Sequence, residues 1–519
     1  MWPKLVAIGA ALLTATCPGL AAPYFAPRAA DIEHQYLGGW EHFVGGGVAA
    51  FDCNNDHLPE LFLAGGTAPS TLLRNITNTL GEDVAFEQMP SPLNVTGATG
   101  AYPLNINNDA HTDLMILRVG ENLLFEGQGN CQFAPSTMLD GLGGDHWTTA
   151  FSATWENGQK LPTLAFGNYV DRTDPDGPFG TCDVNILLRP KEDGYQKVIQ
   201  LEPGYCALSI LFSDWNANGQ QDLRISNDRH YYLNDGQEQL WQLRSKGPHL
   251  LTAEEGWIKH QLWGMGIASR DLDFDGKPEV FLTSMGDQKL HSLQPNANGP
   301  TYADAAYEQG ITAHRPYLGD DGRPSTGWHA AFGDVQNDGL DDIFVAKGNV
   351  DQMISAAMQD PNNLLVQQPD GRFVEMGDVA GIASLARARG GALVDLNLDG
   401  RLDLVVNNRR SNVEIYQNMT SDSGNWLSVK LNQPDQNRDA VGAWIKLRTS
   451  ERTYSREITI GGGHAGGTLA PAHFGLGANE QVEIMVIWPG NVSSNWHTID
   501  ANKQYRVTRK KDKTLVEAY

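Results

Sequence analysis

Asp395-Leu-Asn-Leu-Asp-Gly-Arg-Leu-Asp403 decides how this chain is read. Oxygen-bearing side chains stand at positions one, three, five and nine, a glycine stands at six, and the apolar run Leu404-Val-Val406 follows. Working outward, the same plan returns at Asp334-Val-Gln-Asn-Asp-Gly-Leu-Asp-Asp342 and Asp271-Leu-Asp-Phe-Asp-Gly-Lys-Pro-Glu279. It returns again at Asp214-Trp-Asn-Ala-Asn-Gly-Gln-Gln-Asp222, Asn105-Ile-Asn-Asn-Asp-Ala-His-Thr-Asp113 and Asp52-Cys-Asn-Asn-Asp-His-Leu-Pro-Glu60. One interval, between Asn105 and Asp214, is about twice the others. Inside it Thr149-Ala-Phe-Ser-Ala-Thr-Trp155 and Leu161-Pro-Thr-Leu-Ala-Phe166 repeat the flanking strands, while the loop between them, Glu156-Asn-Gly-Gln-Lys160, has lost the acidic pattern.

Seven units spaced roughly 50 to 63 residues apart result. Four short strands fill such a period, and no sustained 3.6-residue apolar periodicity supports helices. The expected fold class is all-β: a seven-bladed β-propeller followed by a small C-terminal β-sandwich-like domain. The expected divisions are residues 1–22 as a signal peptide, 23–420 as the propeller and 421–519 as the second domain. In the last of these, Trp426–Leu431, Ala443–Arg448 and Val482–Trp488 alternate as half-buried strands do. Gly461-Gly-Gly463 reads as a loop or a close backbone approach.

The loop chemistry points to calcium. This hard cation takes about 6–8 oxygen ligands, and alternate residues of a tight loop direct their side chains to one centre, with a carbonyl at position seven completing the shell. The ligand sets are Asp52, Asn54, Asp56 and Glu60; Asn105, Asn107, Asp109 and Asp113; Asp214, Asn216, Asn218 and Asp222. Asp271, Asp273, Asp275 and Glu279; Asp334, Gln336, Asp338 and Asp342; and Asp395, Asn397, Asp399 and Asp403 complete the series. Gly276, Gly339 and Gly400 allow the positive φ of the bend. Asx-rich turns without metal are the plain alternative. Repetition at fixed offsets between apolar strands weighs against it. An EF-hand is excluded, because strands flank the motif and no Glu stands at position twelve.

Bulk properties narrow the function. Lys4, the apolar or small run Leu5–Thr16 and the small-x-small Gly19-Leu20-Ala21 read as a secretory signal cleaved near Ala21 or Ala22. No later segment is long and apolar enough to span a membrane, so a periplasmic or secreted protein is expected. The formal charge of −24 excludes nucleic acid and disfavours an anionic membrane surface. Cys53, Cys131, Cys182 and Cys206 allow 3 pairings, which spacing alone does not separate. Cys53–Cys131 and Cys182–Cys206 are the expected pairs, because each joins neighbouring units. Without CxxC spacing, zinc is not expected there.

At this point the residues carry a resemblance. Ala331-Phe-Gly-Asp-Val-Gln-Asn-Asp-Gly-Leu-Asp-Asp-Ile-Phe-Val345 resembles an FG-GAP (VCBS-type) repeat. Asn437-Arg-Asp-Ala-Val-Gly-Ala443, His473-Phe-Gly-Leu-Gly477 and Ile487-Trp-Pro-Gly490 resemble the ASPIC/UnbV domain. Together they place nearly the whole mature chain beside the cartilage-acidic-protein-like family, which implies a calcium-stabilised propeller with a C-terminal β domain. The third unit, without ligands, and the second, which opens on Asn105, depart from that pattern.

Strand direction adds a second site. Residues six to ten before each loop and those just after the returning strand should meet at the opposite rim. The entering strands bring His42, Asp145, His146, Trp263, Trp328, His329, Arg387 and Arg389. The returning strands bring Asn168, Asp171, Arg172, Asp228, Arg229, His230, Lys347, Asn408 and Arg409. Arg172, Arg229 and Arg389 suit an anionic ligand, Trp263 and Trp328 offer stacking surfaces, and the histidines could hold a transition metal. Equally, these groups could cap and seal the channel through salt bridges. The leading expectation is a binding or interaction scaffold engaging a small molecule, glycan or protein at that rim. The rival is a hydrolase or lyase on an anionic substrate, with His146, His230 or His329 as acid or base; its mark would be two of these histidines and an arginine within hydrogen-bonding reach of one pocket. No GxSxG, HExxH or P-loop is present, nor a dinucleotide fingerprint in a strand-to-helix setting.

Overall fold

A computed structural model describes residues 22–519 except 29, 157, 175–180, 193, 229–234, 296, 298, 313–323, 352, 355, 435 and 512. The expected signal segment therefore lies outside the described residues but for Ala22, and so do Arg229 and His230.

The loop motif sits where strand chemistry changes to turn chemistry, and the structure repeats that junction seven times. Every entering strand is mostly buried, and the position-nine residue opens the returning strand: Glu60–Leu63, Asp113–Gly120, Asp222–Asn227, Glu279–Ser284, Asp342–Lys347 and Asp403–Arg409. In the third unit Thr163 opens Thr163–Asn168 at the same place. Each pair continues outward to make four antiparallel strands, those of the second and third units joining in one sheet where His146 and Trp147 pair with Gly120 and Val119; the sixth, for example, runs Gly327–Gly333, Asp342–Lys347, Asn363–Gln367, Phe373–Glu375. Only three strands of the seventh sheet are local: Arg387–Val394, Asp403–Arg409 and Glu414–Asn418. The fourth is the N-terminal Phe25–Arg28, paired Phe25↔Asn418 through Arg28↔Ile415. Sequence periodicity carries no sign of this closure, because its partners lie at opposite ends of the repeat array.

The innermost strands contact their neighbours in order, and the first, Val48–Phe51, contacts the last, Arg387–Val394, so the arrangement is closed and propeller-like. Separate apolar clusters fill each gap between sheets. Val48 and Ala50 pack with Ala392 and Val394; Phe344 and Ala346 pack with Leu404 and Val406. Burial of these aliphatic faces, at about 25 cal/mol per Å², holds adjacent units together. Cys53–Cys131 bridges the first and second units and Cys182–Cys206 the third and fourth, the expected pairing.

Residues after 420 form two further sheets around one core that contains Leu427, Val429, Ile445, Phe474, Ile484, Val486 and Val507. One sheet is ordered Ala472–Gly477, Asn425–Asn432, Lys503–Lys510, Lys513–Ala518; the other is built on Thr453–Glu457, Trp444–Arg448 and Gln481–Trp488. Among the described residues no helix is long and apolar enough to cross a membrane.

Candidate metal loops and the channel they surround

All six acidic loops fold alike. The position-five side chain accepts the position-seven N–H in each: Leu58 on Asp56, His111 on Asp109, Gln220 on Asn218, Lys277 on Asp275, Leu340 on Asp338 and Arg401 on Asp399. In five of them the position-nine carboxylate accepts the position-two N–H, as Leu396 N donates to Asp403 Oδ2 at 2.8 Å. The Asp214 loop differs, with Trp215 Nε1 donating to Asp222 instead. Position six is left-handed at His57, Gly219, Gly276, Gly339 and Gly400. Position four is left-handed in every copy, at Asn55, Asn108, Ala217, Phe274, Asn337 and Leu398. Asparagine in three copies was a readable signal for this bend; Phe274 and Leu398 gave none.

The oxygens left over fit a cation. Asp271, Asp273 and Asp275 bring one carboxylate oxygen each to within 4.8 Å of one another. Asn105 spends its amide N–H on the Asp109 carbonyl, and Asn397 spends its own on Glu82 O, yet the side-chain oxygen of each is buried without a partner. An oxygen left bare inside protein costs about 1–3 kcal/mol unless something fills the space before it. Burial, with neighbouring carboxylates adding to it, pushes the ligands up: Asp395 to about 7, and Glu60 and Glu279 to about 8. Asp334, Asp342 and Asp403 are raised for the same first reason.

The third unit closes its loop with protein alone. Glu156 receives both Nε and Nη2 of Arg189 at 2.8 Å, and Thr163 Oγ1 donates to the same carboxylate. Arg189 lies in the next strand, so the loop's own sequence does not announce it.

The C-terminal domain covers this loop face. Arg438 donates to Asp109 O, Asn491 to Asn218 O, Gly424 N to Gln336 O, Gly477 N to Asn337 O, and His473 Nε2 lies 3.0 Å from Gly400 O. Tyr519 rests on His57, and Tyr454 meets Phe274 edge-on. Each of the six acidic loops is thus touched by this domain.

Between Glu457 and Ala472 the same domain sends a finger into the channel. Ile460 pairs with Ala153, Gly461 with Leu211, Gly463 with Ile267 and Gly466 with Ala101, and Thr468–Leu469 runs parallel to Ala50–Phe51. The glycines permit backbone against backbone: a Cβ on Gly466 would lie 2.2 Å from Val48 O, and one on Gly100 would lie 1.6 Å from Ala465 O. At the tip, Gly45 N donates to His464 Nε2 and His464 Nδ1 faces Met265 O at 3.0 Å, while His464 N donates to His329 Nδ1. Burial holds His464 down at about 3 and His329 at about 4, so both are neutral.

The rim therefore departs from an open mouth. The strand geometry places the rim residues as expected, for Arg387 pairs with Arg409 and Gly327 with Lys347. Their side chains are mostly consumed. Arg389 is buried and donates to the carbonyls of Phe43, Ala388, Asn349 and Val350, with its guanidinium 4.2 Å from the Trp328 ring centre. Arg409 holds the carbonyls of His42, Gly38 and Gly39 and the Asp351 carboxylate, which Arg387 also approaches. Lys347 and Asp360 form a fully buried pair at 2.6 Å. Trp328 donates to Gly348 O, His42 is buried against Tyr36, Asn168 accepts from Thr148, Asp228 accepts from Tyr169, and Asn408 donates to Asn412 O. Trp263 is half-buried in the aromatic cluster of Phe43, Trp147 and Trp328. What stays near solvent is a small network: Arg172 bridges Glu41 and Asp145, His146 bonds Asp183 at 2.7 Å and is raised by it, and Asp171 caps Thr173. Of the four rim histidines, His42, His146 and His329 are not brought to one pocket, and His230 lies outside the described residues.

The ASPIC and UnbV profile matches residues 433–514, inside the finger-bearing domain. Cartilage acidic protein 1 of Mus musculus is 22% identical over 480 residues, covering 85% of this chain and 70% of that protein. The Xenopus tropicalis protein of that name is 24% identical over 233 residues, 44% of this chain and 34% of the other. Among solved structures, BBS1N in complex with ARL6DN aligns with a TM-score of 0.45 at 10% identity, covering 78% of this chain and 99% of that one. An Agrocybe aegerita lectin that recognises non-reducing terminal N-acetylglucosamine aligns at 0.39 and 13% identity, over 72% of this chain and 94% of the other. The chain is a distant homologue of cartilage acidic protein 1 over most of its length, and it ends in an ASPIC/UnbV domain.

Proposed function

We propose that this protein is an exported, calcium-braced seven-bladed β-propeller that acts as a binding scaffold, its channel locked by the C-terminal sandwich and its ligand surface confined to the exposed remnant of the far rim. The observation that carries the reading is the set of acidic loops whose buried oxygens, above all Asn105 Oδ1 and Asn397 Oδ1, lack protein partners. All-oxygen donors in tight loops suit calcium rather than a softer ion. The two disulfides support an oxidising compartment and hence export. Glu41, Asp145, His146 and Arg172 remain as the face for a small molecule, glycan or protein.

The enzyme alternative asked for two of the rim histidines beside an arginine in one pocket; among the described residues His42, His146 and His329 do not share one, although His329 lines the channel cavity with His473, Arg270 and Arg456. The test is thermal unfolding of the mature protein, stripped of metal and then titrated with calcium, with magnesium and zinc in parallel. Each site that binds only the folded state adds RT ln(1 + [L]/Kd), about 2.7 kcal/mol at a hundredfold excess over Kd, so the midpoint should rise steeply and for calcium alone. An unmoved midpoint would reduce the loops to turns.

A further inference from the structure

The finger does not fill the channel evenly. It pairs along its backbone with the inner strands of the first five units and meets the sixth through the His464–His329 bond at its tip rather than by strand pairing, and a cavity of about 300 Å³ opens between finger, ring and C-terminal domain. We infer that this cavity is a binding site for a small organic carboxylate, with Arg270 and Arg456 as its anion clamp.

Its walls divide by chemistry. On the ring side Ala330, Ala331, Ala392 and Leu393 supply an apolar surface. Opposite stand two guanidiniums from different domains, Arg270 ending an inner strand and Arg456 beside the base of the finger. Both reach a single carboxylate, Asp341, at 3.5 and 3.3 Å, and each lies over a phenyl ring, Phe332 for Arg270 and Phe474 for Arg456. Arg270 Nη2 also faces Phe332 O and Arg456 Nη1 donates to His473 O, but Nε of both side chains is buried with no acceptor. The two guanidiniums share one carboxylate, and unspent N–H groups on a planar fork are what a further carboxylate satisfies.

The carboxylates along the cavity accept hydrogen bonds of their own, save Asp271 Oδ1, which is buried without a partner. Asp271 accepts Gly276 N, Asp395 accepts the N–H groups of Asp399 and Gly400, and Glu457 accepts Ser213, Asp214 N and Gln221. Ser428 Oγ and His473 Nδ1 remain without partners beside the arginines, offering further polar contacts to the ligand head. Thr468, which is exposed on the finger, marks the way in. Asp271 and Asp395 belong both to this cavity and to the acidic loops, so the titration is run with and without calcium, which separates its failure from that of the calcium reading.

The experiment is calorimetric titration of the full mature protein with hexanoate and benzoate, and with inorganic phosphate as the arm that tests for charge alone. Carboxylate binding with Kd below about 1 mM, and phosphate at least about tenfold weaker, is the expected result. Arg456→Lys and Arg270→Lys keep the charge but lose the fork and should each weaken binding about tenfold or more. Thr468→Trp blocks the entrance without touching either arginine and should abolish binding even if an arginine variant fails to fold. Arg372→Gln, at an exposed arginine away from the cavity, should leave binding unchanged. No heat of binding with the wild-type protein, equal affinity for phosphate, or undiminished binding by Thr468→Trp would each overturn the inference.

Discussion

The third and seventh units solve the same problem with different chemistry. Each must turn a buried strand back on itself beneath the C-terminal domain, and each needs something to hold the turn. The seventh gathers Asp395, Asn397, Asp399 and Asp403, whose carboxylates burial raises and whose Asn397 oxygen finds no partner. The third replaces that set with one ion pair, the Glu156–Arg189 fork, tied to Thr163 at the position where the other units carry an acid. One turn is complete within the protein; the other is arranged as though a cation completes it. The difference teaches that the motif is a means of closing the hairpin rather than a requirement of the fold, and that a guanidinium in the neighbouring strand can stand in for it.

That comparison can be broken at several points. The largest effect is expected from Asp403→Asn. In calcium it should cost about 3 kcal/mol of unfolding free energy, because the charge that holds the ion and the buried bond geometry suffer together. In chelator the loss should shrink to about 1 kcal/mol or reverse, since a repelling carboxylate has been removed. Denaturant unfolding with and without calcium reads both, and equal losses in the two conditions would mean no ion is involved.

Next comes the pH dependence of the stripped protein. Asp395 at about 7 and Glu279 at about 8 bind protons in the folded state that the unfolded chain, near 4, has already released. Stability from these groups is therefore present at low pH and falls as pH rises from about 4 through 8, by up to about 1.4 kcal/mol per pH unit per group. Saturating calcium should abolish that fall, because the bound ion favours the ionised form. A stripped protein whose stability stays flat over this range would contradict the burial of these carboxylates.

Arg189→Gln should cost a smaller amount, about 1–2 kcal/mol, and by the same amount with and without calcium. A calcium-dependent loss would show that the third unit also engages the ion. Smallest is an acid-side effect from the finger. His464 at about 3 and His329 at about 4 must stay neutral in the fold, so their stability is full above about 6.5 and is lost as pH falls toward 4. His464→Gln should flatten the curve there by under about 1.4 kcal/mol per pH unit, measured in calcium to keep the loops out of the titration.

Much of the fold and of the loops was open to reading because their causes are local. Ligand oxygens at alternate positions, a glycine at the bend and an apolar run on each side lie within a dozen residues, so the pattern survives in one dimension. The same holds for strand direction, which put Arg387 and Arg409 at one end of their strands; the structure adds that they pair. What failed to show is whether a side chain would be free once it arrived. Arg389, Trp328 and His329 stand at the predicted rim, yet carbonyl oxygens, a ring stack and His464 absorb them. Gly461–Gly463 announced a close backbone approach, but nothing along the chain told that the partners were Leu211 and Ile267.

The sequence by itself determined the repeat, the oxygen sets and the β-rich second domain, because each follows from spacing and side-chain chemistry among near neighbours. Only the tertiary structure decided that Phe25–Arg28 completes the seventh sheet, that a finger closes the channel, and that Arg270 and Arg456 meet across two domains. These are contacts between residues far apart along the chain, chosen by which surfaces can be buried together, and burial is a property of the assembled fold rather than of any stretch within it.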